Sequence, residues 1–217
     1  MKWIKKLFSP RFTPDPRRWL LVDVETSGLD PSSDRLLAIA GVVLSISEDF
    51  KHMSIEITDS FEVVLRQTTP SDKDNILLHG IGVQAQREGQ DPATALQDFI
   101  DWAGTSPLLA FHAAFDEAMI QRACRQYVGR SLPNAWLDIE PLAAHVHRTD
   151  KGESLDVWMK RMGIQCARRH QAIADVWASA EVLLKLWPAL SKEAGDFAEL
   201  KQMENGVRWL RRRPATR

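Results

Sequence analysis

Two acidic residues, Asp23 and Glu25, lie on either side of a single valine at the end of an apolar run that begins at Trp19. If this run is a β-strand, residues two apart point to the same face, so both carboxylates leave the strand side by side. Two adjacent anions are costly to bury unless they share a proton or bind a hard cation. Two hydrated acids at the exposed end of a strand are the alternative interpretation of this pair on its own.

Two further acidic positions lie where helices are predicted to begin. Asp116 follows the apolar run 108–111 and opens a segment with helical periodicity, a type of junction where α/β proteins often place catalytic groups. Asp175 lies in the first turns of another predicted helix, and His170 lies on the loop before it. Taken singly, each position is equally explained by helix capping or by the preference for acids near a helix N-terminus.

Taken together and in order, these residues resemble the DEDDh-type 3′-to-5′ exonucleases, the group that includes the proofreading subunit of bacterial replicative polymerases. The resemblance covers residues 18–190. Shorter similarities lie between the main motifs. The matching segments are Asp23-Val24-Glu25-Thr26, Gly28-Leu29, His79-Gly80-Ile81, Phe115-Asp116, Ser154-Leu155-Asp156, Met162-Gly163-Ile164, and His170 with Asp175 five residues later.

The resemblance implies a metal-dependent 3′-to-5′ exonuclease that hydrolyses single-stranded ends and releases nucleoside 5′-monophosphates. Asp23, Glu25 and Asp175 would bind two divalent cations, Mg²⁺ or Mn²⁺, with Asp116 as a fourth and more peripheral metal residue. Carboxylate oxygens suit these ions, which can activate water and stabilise the leaving 3′-oxygen. His170 would be the general base, because an imidazole titrates near neutral pH.

The resemblance also implies substrate contacts around these motifs. Leu29 and His79 are the candidates for contact with the terminal nucleotide. The family usually carries His-Asn ahead of the second motif, whereas this chain has Phe111-His112, so His112 is expected to hold the substrate differently. The predicted substrate-binding residues are Thr26, Gly28, Leu29, His79, His112 and Phe115.

DNA is favoured over RNA as the substrate, because the neighbourhood of the motifs is closer to the polymerase-associated branch of the family. A polymerase or another replication or repair protein is therefore a candidate partner. Two alternatives stay open: an exoribonuclease that trims RNA 3′ ends, and a non-catalytic relative that binds nucleic acid or protein. No motif bears on discrimination of the ribose 2′-OH.

The order of predicted elements favours one α/β domain with three layers. Strands are predicted at 19–25, 36–46, 55–66, 108–112 and 136–138, and helices at 93–102, 114–127, 139–147, 155–162, 172–186 and 194–210. The resemblance implies a ribonuclease-H-like mixed sheet of about five strands flanked by helices. The predicted organisation is a basic N-terminal segment at 1–17, an exonuclease domain at 18–190, and a helical, basic C-terminal extension at 191–217.

Composition is that of an ordinary globular protein, with 44% hydrophobic and 26% charged residues among 217. No stretch is apolar enough for a predicted transmembrane segment. The two cysteines, Cys124 and Cys166, make neither a disulfide framework nor a zinc site, which predicts a cytoplasmic location.

The net charge of −1 conceals an uneven distribution of charge along the chain. Residues 1–18 and 208–217 together hold 11 of the 28 basic residues and one of the 29 acidic residues, so residues 19–207 carry a net charge of −11. Either the basic ends help to attract phosphate, or they are solvated tails.

Overall fold

A five-stranded mixed sheet forms the centre of the computed structural model, which describes residues 15–166 and 168–212. Its strands are β1 (Arg18–Thr26), β2 (Leu36–Ile46), β3 (Met53–Val64), β4 (Leu108–Ala110) and β5 (Trp136–Asp138). They lie in the order β3-β2-β1-β4-β5, with β1, β2 and β3 antiparallel in succession and β4 and β5 parallel to β1. The predicted mixed sheet of about five strands is confirmed.

Helices cover both faces of this sheet. In chain order they are α1 (Lys73–His79), α2 (Val83–Glu88), α3 (Pro92–Ala103), α4 (Ala114–Tyr127), α5 (Ile139–His147), α6 (Leu155–Met162), α7 (Ala172–Glu193) and α8 (Phe197–Arg212). Side chains of α3 and α4 form one core with the sheet, and side chains of α5, α6, α7 and α8 form the other. These two cores confirm the predicted three-layer α/β architecture.

The alternation of side chains along β1 divides its residues between the two cores. Leu20 and Val22 pack with α3 and α4, whereas Trp19 and Leu21 pack on the opposite face with α5 to α8. All four are at most 1% exposed, so the apolar run of the sequence is buried on both faces. Asp23 continues the odd-numbered series and therefore faces the layer that contains α7.

Most predicted elements agree with the structure to within a few residues, and the differences have local causes. The strand predicted to reach residue 112 ends at Ala110, because His112 takes a left-handed backbone conformation (φ 63°) that an extended strand does not allow. Helix α7 continues past the predicted end at 186, through Pro188, to Glu193. Helices α1 and α2 were not predicted, since they have only seven and six residues, too few for a clear helical period.

Helix α8 is held against the domain by both apolar and ionic contacts. Val207 is buried in the same core as Trp19. Arg208 donates a hydrogen bond to Asp138 at 2.8 Å, and Arg211 donates two to Glu140, at 2.5 and 2.8 Å. Two of the basic residues near the C-terminus thus pair with acids of the chain itself.

The predicted boundary at 190/191 falls within α7, and the division into three parts stays a prediction. Residues 1–14 and 213–217, which contain most of the predicted basic N-terminal segment and the end of the C-terminal extension, lie outside the described residues. Within the described ranges, no helix combines the length and the apolar character that crossing a bilayer requires.

We predict that Arg211→Ala lowers the free energy of unfolding by about 3 kcal/mol, because it leaves the carboxylate of Glu140, which is 1% exposed, without its bidentate partner. Arg212→Ala is the matched control, since Arg212 is the next residue of α8 and is exposed, and it should change stability by less than about 0.5 kcal/mol. Urea denaturation measures both. Equal stability of the two variants would contradict the prediction.

Candidate active site

The first motif lies where β1 ends, at the edge of the sheet where the carboxyl ends of the parallel strands meet. Asp23 and Glu25 are partly buried and share one face of β1. The pairing of β1 with β2 shifts register between Glu25 and Thr26, which ends the regular ladder just after the two acids. Ligands of open α/β sheets bind at this type of strand edge.

The second motif brings Asp116 to the same edge. Strand β4 runs parallel to β1, so the loop after β4 returns beside the end of β1. Asp116 lies in the first turn of α4 and is 4% exposed. The backbone N–H groups of Val24 and of Asp116 itself act to lower the pKa of its carboxyl, which places the carboxyl beside the first motif.

The third motif completes the arrangement from the opposite layer. Asp175 lies in the first turn of α7 and is 6% exposed. Its Oδ2 accepts a hydrogen bond of 3.1 Å from the backbone N–H of His170, and its Oδ1 pairs with Arg169. The structure therefore brings the three separate motifs to one place. We call their four acids the carboxylate cluster: Asp23, Glu25, Asp116 and Asp175.

The electrostatics of the cluster follow from burial and mutual repulsion. Burial raises the pKa of Asp23 well above its usual range, and the charges of Asp116, Glu25 and Asp175 raise this pKa further. Burial, followed by the charge of Asp175, raises the pKa of Glu25 to about 7. Burial also raises the pKa of Asp116 to about 8, against the effect of its backbone hydrogen bonds. Without a cation these groups hold protons at pH values where isolated carboxylic acids have lost them.

Two histidines of the candidate site share an unusual backbone conformation. His112 and His170 both have a positive φ, 63° and 60°, in the left-handed region that non-glycine residues seldom adopt. Each is held there by its own backbone N–H, which donates to Asp138 for His112 and to Asp175 for His170. Such strain persists only where the surroundings fix it and is common at functional sites. The side chain of His170 is exposed, so its ring is accessible to solvent.

The loop after β1 presents Leu29 on a closely fitted turn. The hydroxyl of Thr26 donates a 2.6 Å hydrogen bond to the carbonyl oxygen of Gly28. A Cβ on Gly28 would collide with the carboxylate of Asp34, so a larger residue there would have to displace that side chain. Leu29 is 88% exposed and is therefore free to contact a ligand.

His79 is connected to the end of β1 through the side chain of Asn75. It is 2% exposed, and its Nδ1 accepts a hydrogen bond from the backbone N–H of Ile81. Its other ring nitrogen then carries the proton and donates to Asn75 Oδ1 at 2.8 Å, while the amide of Asn75 donates to the carbonyl oxygen of Thr26. Both ring nitrogens are thus engaged within the chain, and burial lowers the pKa of His79.

The second motif also places two phenylalanines around the loop that carries His112. Phe115 packs partly buried against the core formed with α3 and α4, and Phe111 packs partly buried against the opposite core. The rings of Phe111 and His112 meet edge to face with centroids 5.0 Å apart. The predicted substrate residues therefore lie at the same edge of the sheet, although His79 and Phe115 are largely covered by protein.

Three residues that the sequence did not identify as functional complete the surroundings of the cluster. Arg169 pairs with Asp175, Asp138 accepts the backbone N–H of His112, and Asn75 connects His79 to Thr26. Arg169 directly precedes His170 in the third motif, which is the only signal the sequence offers for it. The roles of the other two depend on contacts between distant parts of the chain.

Comparison with known protein families gives a match to the family described as Exonuclease over residues 20–183, which is more than half of the chain. The chain is 28% identical over 169 residues to the PolC-type DNA polymerase III of Bacillus subtilis, covering 77% of this chain and 11% of that protein. It is 29% identical over 179 residues to a DNA polymerase III subunit epsilon-like protein of Rhodobacter capsulatus, covering 81% of this chain and 24% of that protein. The chain therefore spans a quarter or less of the length of these relatives.

Solved structures of exonuclease I share the fold at low sequence identity. The apo form superposes with a TM-score of 0.63 and 17% identity, covering 82% of this chain and 45% of that chain. The Escherichia coli exonuclease I complex with a dA16 oligonucleotide gives a TM-score of 0.64 and 19% identity, covering 81% of this chain and 42% of that chain. These matches confirm the ribonuclease-H-like architecture. Together with the match over residues 20–183, they confirm the resemblance of the sequence, and the chain belongs to the family of DEDD-type 3′-to-5′ exonucleases.

Proposed function

We propose that this protein hydrolyses single-stranded DNA from its 3′ end by a two-metal mechanism and releases nucleoside 5′-monophosphates. The observation that carries the proposal is the carboxylate cluster, in which acids from three separate motifs lie so close together that Asp116, Glu25 and Asp175 all raise the pKa of Asp23. So many anions in one partly buried place need positive charge. Membership of the exonuclease family supports divalent ions as the source of that charge.

The chemistry of the donors fits divalent cations such as Mg²⁺ or Mn²⁺, which prefer oxygen ligands. Asp23, Glu25 and Asp175 would hold these ions, and Asp116, whose carboxyl lies beside the backbone N–H of Val24, would act from the side. Bound there, the ions would supply the positive charge that activates water and stabilises the departing 3′-oxygen. Four carboxylates balance two divalent ions in formal charge, so the loaded site would accept a phosphate that the metal-free site repels.

His170 has the position and the chemistry of a general base. Its backbone N–H donates to the carboxylate of Asp175, and its side chain is exposed. A neutral imidazole nitrogen can accept the proton that the attacking water loses. In the proposed reaction the bond between phosphorus and the 3′-oxygen of the preceding nucleotide breaks, and that oxygen becomes the new 3′ end.

The remaining site residues would bind and align the terminal nucleotide. Leu29, exposed on its fixed turn, would pack against the nucleotide, while Thr26 and Gly28 hold that turn in shape. We assign His79 a positioning role through Asn75, since its ring nitrogens are engaged within the chain. His112 and Phe115 would contact the strand on the side of α4.

The choice of DNA is supported by two comparisons. PolC-type DNA polymerase III is a relative in sequence, and exonuclease I has been solved with a DNA oligonucleotide. Because the relatives are much longer than this chain, a polymerase or other replication or repair partner stays part of the proposal, as does a cytoplasmic location. Side-by-side digestion of DNA and RNA strands separates this proposal from RNA 3′-end trimming.

The pKa values of the cluster predict how stability depends on pH in the absence of metal. Carboxyl groups whose pKa is raised by folding bind protons more tightly in the folded chain, so their contribution to stability is lost as pH rises towards the folded values of about 7 for Glu25 and about 8 for Asp116. With chelator, the free energy of unfolding should therefore fall between about pH 5 and pH 8. Added Mn²⁺ should remove this fall.

Asp116→Asn tests this pH dependence directly. In urea denaturation with chelator, the variant should show a shallower fall and should exceed the wild type at pH 8 by a few kcal/mol. Asp74→Asn, at an exposed acid of α1, is the matched control and should keep the slope of the wild type. An unchanged slope in Asp116→Asn would mean that the cluster does not hold these protons.

The proposed activity predicts a specific time course on 5′-labelled single-stranded DNA. The label should appear in strands that shorten one nucleotide at a time, only with Mg²⁺ or Mn²⁺, and matched RNA should be digested more slowly. A closed circle or a 3′-phosphate should resist digestion, because the reaction needs a free 3′ end. Asp23→Asn and Asp175→Asn should reduce digestion to background, whereas Asp74→Asn should not.

Three outcomes of this assay would contradict the proposal in different ways. Full turnover in excess chelator would exclude the metal mechanism. An internal cut as the first product would identify an endonuclease. Binding of the strand without cleavage in either metal would favour a non-catalytic relative.

We further predict that His170→Asn lowers kcat by about 10²- to 10⁴-fold, the range for loss of a positioned general base. Asparagine is chosen because it tolerates the positive φ of this position, so the backbone is preserved. His112→Asn, at the other positive-φ histidine, should have a smaller effect on kcat. Single-turnover kinetics at saturating substrate measure both, and a larger effect at His112 would show that His170 is not the base.

A further inference from the structure

The guanidinium group of Arg169 lies among the acids of the candidate site. It pairs with Asp175 Oδ1 on one side and donates to Asp156 on the other, from Nε at 2.6 Å and from Nη2 at 3.5 Å. Asp156 lies in the first turn of α6 and Asp175 in the first turn of α7. Arg169 therefore connects the carboxylate cluster to an acid that belongs to a different helix.

The charge of Arg169 acts beyond the acid it touches. It lowers the pKa of both Asp23 and Glu25, in opposition to burial and to the neighbouring carboxylates. The side chain is 24% exposed, so its interaction with Asp175 is only partly screened by water. Arg169 thus supplies to the cluster some of the positive charge that a bound cation would supply.

The arrangement of the cluster agrees with this role. Across residues 15–166 and 168–212, the His, Cys, Asp and Glu side chains do not already form a ready-made metal-binding group of three or more in the present arrangement, so the proposed ligands would have to move together as metal binds. Asp175, one of the proposed ligands, is already paired with the guanidinium. A metal ion that used this oxygen would have to replace Arg169.

We propose that Arg169 is a displaceable counter-ion, which neutralises Asp175 in the metal-free protein and competes with divalent metal for it. This inference rests on the proposed metal-dependent function. Asp156 holds the guanidinium through a second set of hydrogen bonds, so Arg169 keeps a partner after it leaves Asp175. The competition sets the concentration of free metal at which the site is loaded. Because His170 is the next residue, metal entry also affects the loop that carries the proposed base.

The main test is a titration of the full chain with Mn²⁺, without nucleic acid, in which electron paramagnetic resonance measures free Mn²⁺. Arg169→Gln should bind Mn²⁺ about 10-fold more tightly than the wild type, which corresponds to ~1.4 kcal/mol. Arg169→Lys keeps the charge and should stay within about 3-fold of the wild type. Arg168→Gln is the matched control, because it removes the same charge from the exposed neighbouring position and should have a smaller effect.

The role of Asp156 is tested by a double-mutant cycle on the same titration. Asp156→Asn should weaken Mn²⁺ binding when Arg169 is present, because the displaced guanidinium loses its second partner. It should have little effect in the Arg169→Gln background. Additive effects would show that the two residues act independently on the metal.

A measurement on the wild type keeps the inference testable even if Arg169→Gln does not fold. Titration with Mg²⁺, followed by NMR of the arginine Nε–H groups, should shift the signal of Arg169, assigned by its absence in Arg169→Lys. An unshifted signal at saturating Mg²⁺, or equal or weaker Mn²⁺ binding by Arg169→Gln, would overturn the counter-ion inference alone. A wild type that binds neither ion would instead contradict the proposed function on which the inference rests.

Discussion

The mutual repulsion of four carboxylates is the interaction around which the candidate site is organised. Asp23 and Glu25 come from β1, Asp116 from the start of α4, and Asp175 from the start of α7. The acids of these three elements repel one another. The elements are nevertheless held together by the two cores on either side of the sheet. The apolar packing energy of those cores offsets the electrostatic cost at the edge of the sheet.

The protein limits this cost with positive charge and with backbone dipoles. Asp116 and Asp175 each lie in the first turn of a helix, where the N–H groups favour a negative charge. Arg169 adds a full positive charge beside Asp175. The raised pKa values of Asp23, Glu25 and Asp116 show that this compensation is incomplete, and the proposed divalent cations would offset the remaining negative charge.

A second set of buried acids, next to the cluster, is compensated differently. Asp138, the last residue of β5, is paired with Arg208 of α8, and Glu140, in the first turn of α5, is paired with Arg211. Asp138 also accepts the backbone N–H of His112 and so fixes the strained loop before Asp116. Helix α8, which lies beyond the region matched by the family, thereby supports the shape of the candidate site without contributing a proposed ligand.

The sequence by itself determined the fold class and the identity of the acids. The apolar runs that became β1 and β2 are long and bounded, and the spacing of Asp23 and Glu25 places both on one face of a strand. Joint occurrence of the three motifs in this order is enough to indicate the family. Elements without strong periodicity, such as α1 and α2, could not be predicted, because their six or seven residues give too short a pattern.

The tertiary structure alone decided how the acids are balanced. Contacts of Arg169 with Asp156 and Asp175, of Asp138 with His112, and of His79 with Asn75 join residues by folding, and their energies depend on distance and burial. The same holds for Arg208 and Arg211, which in the sequence are part of a basic end and in the structure are partners of buried acids. The net charge of a segment can be counted from its sequence. The electrostatic environment of a site depends instead on which charged residues the fold brings within a few ångströms of it.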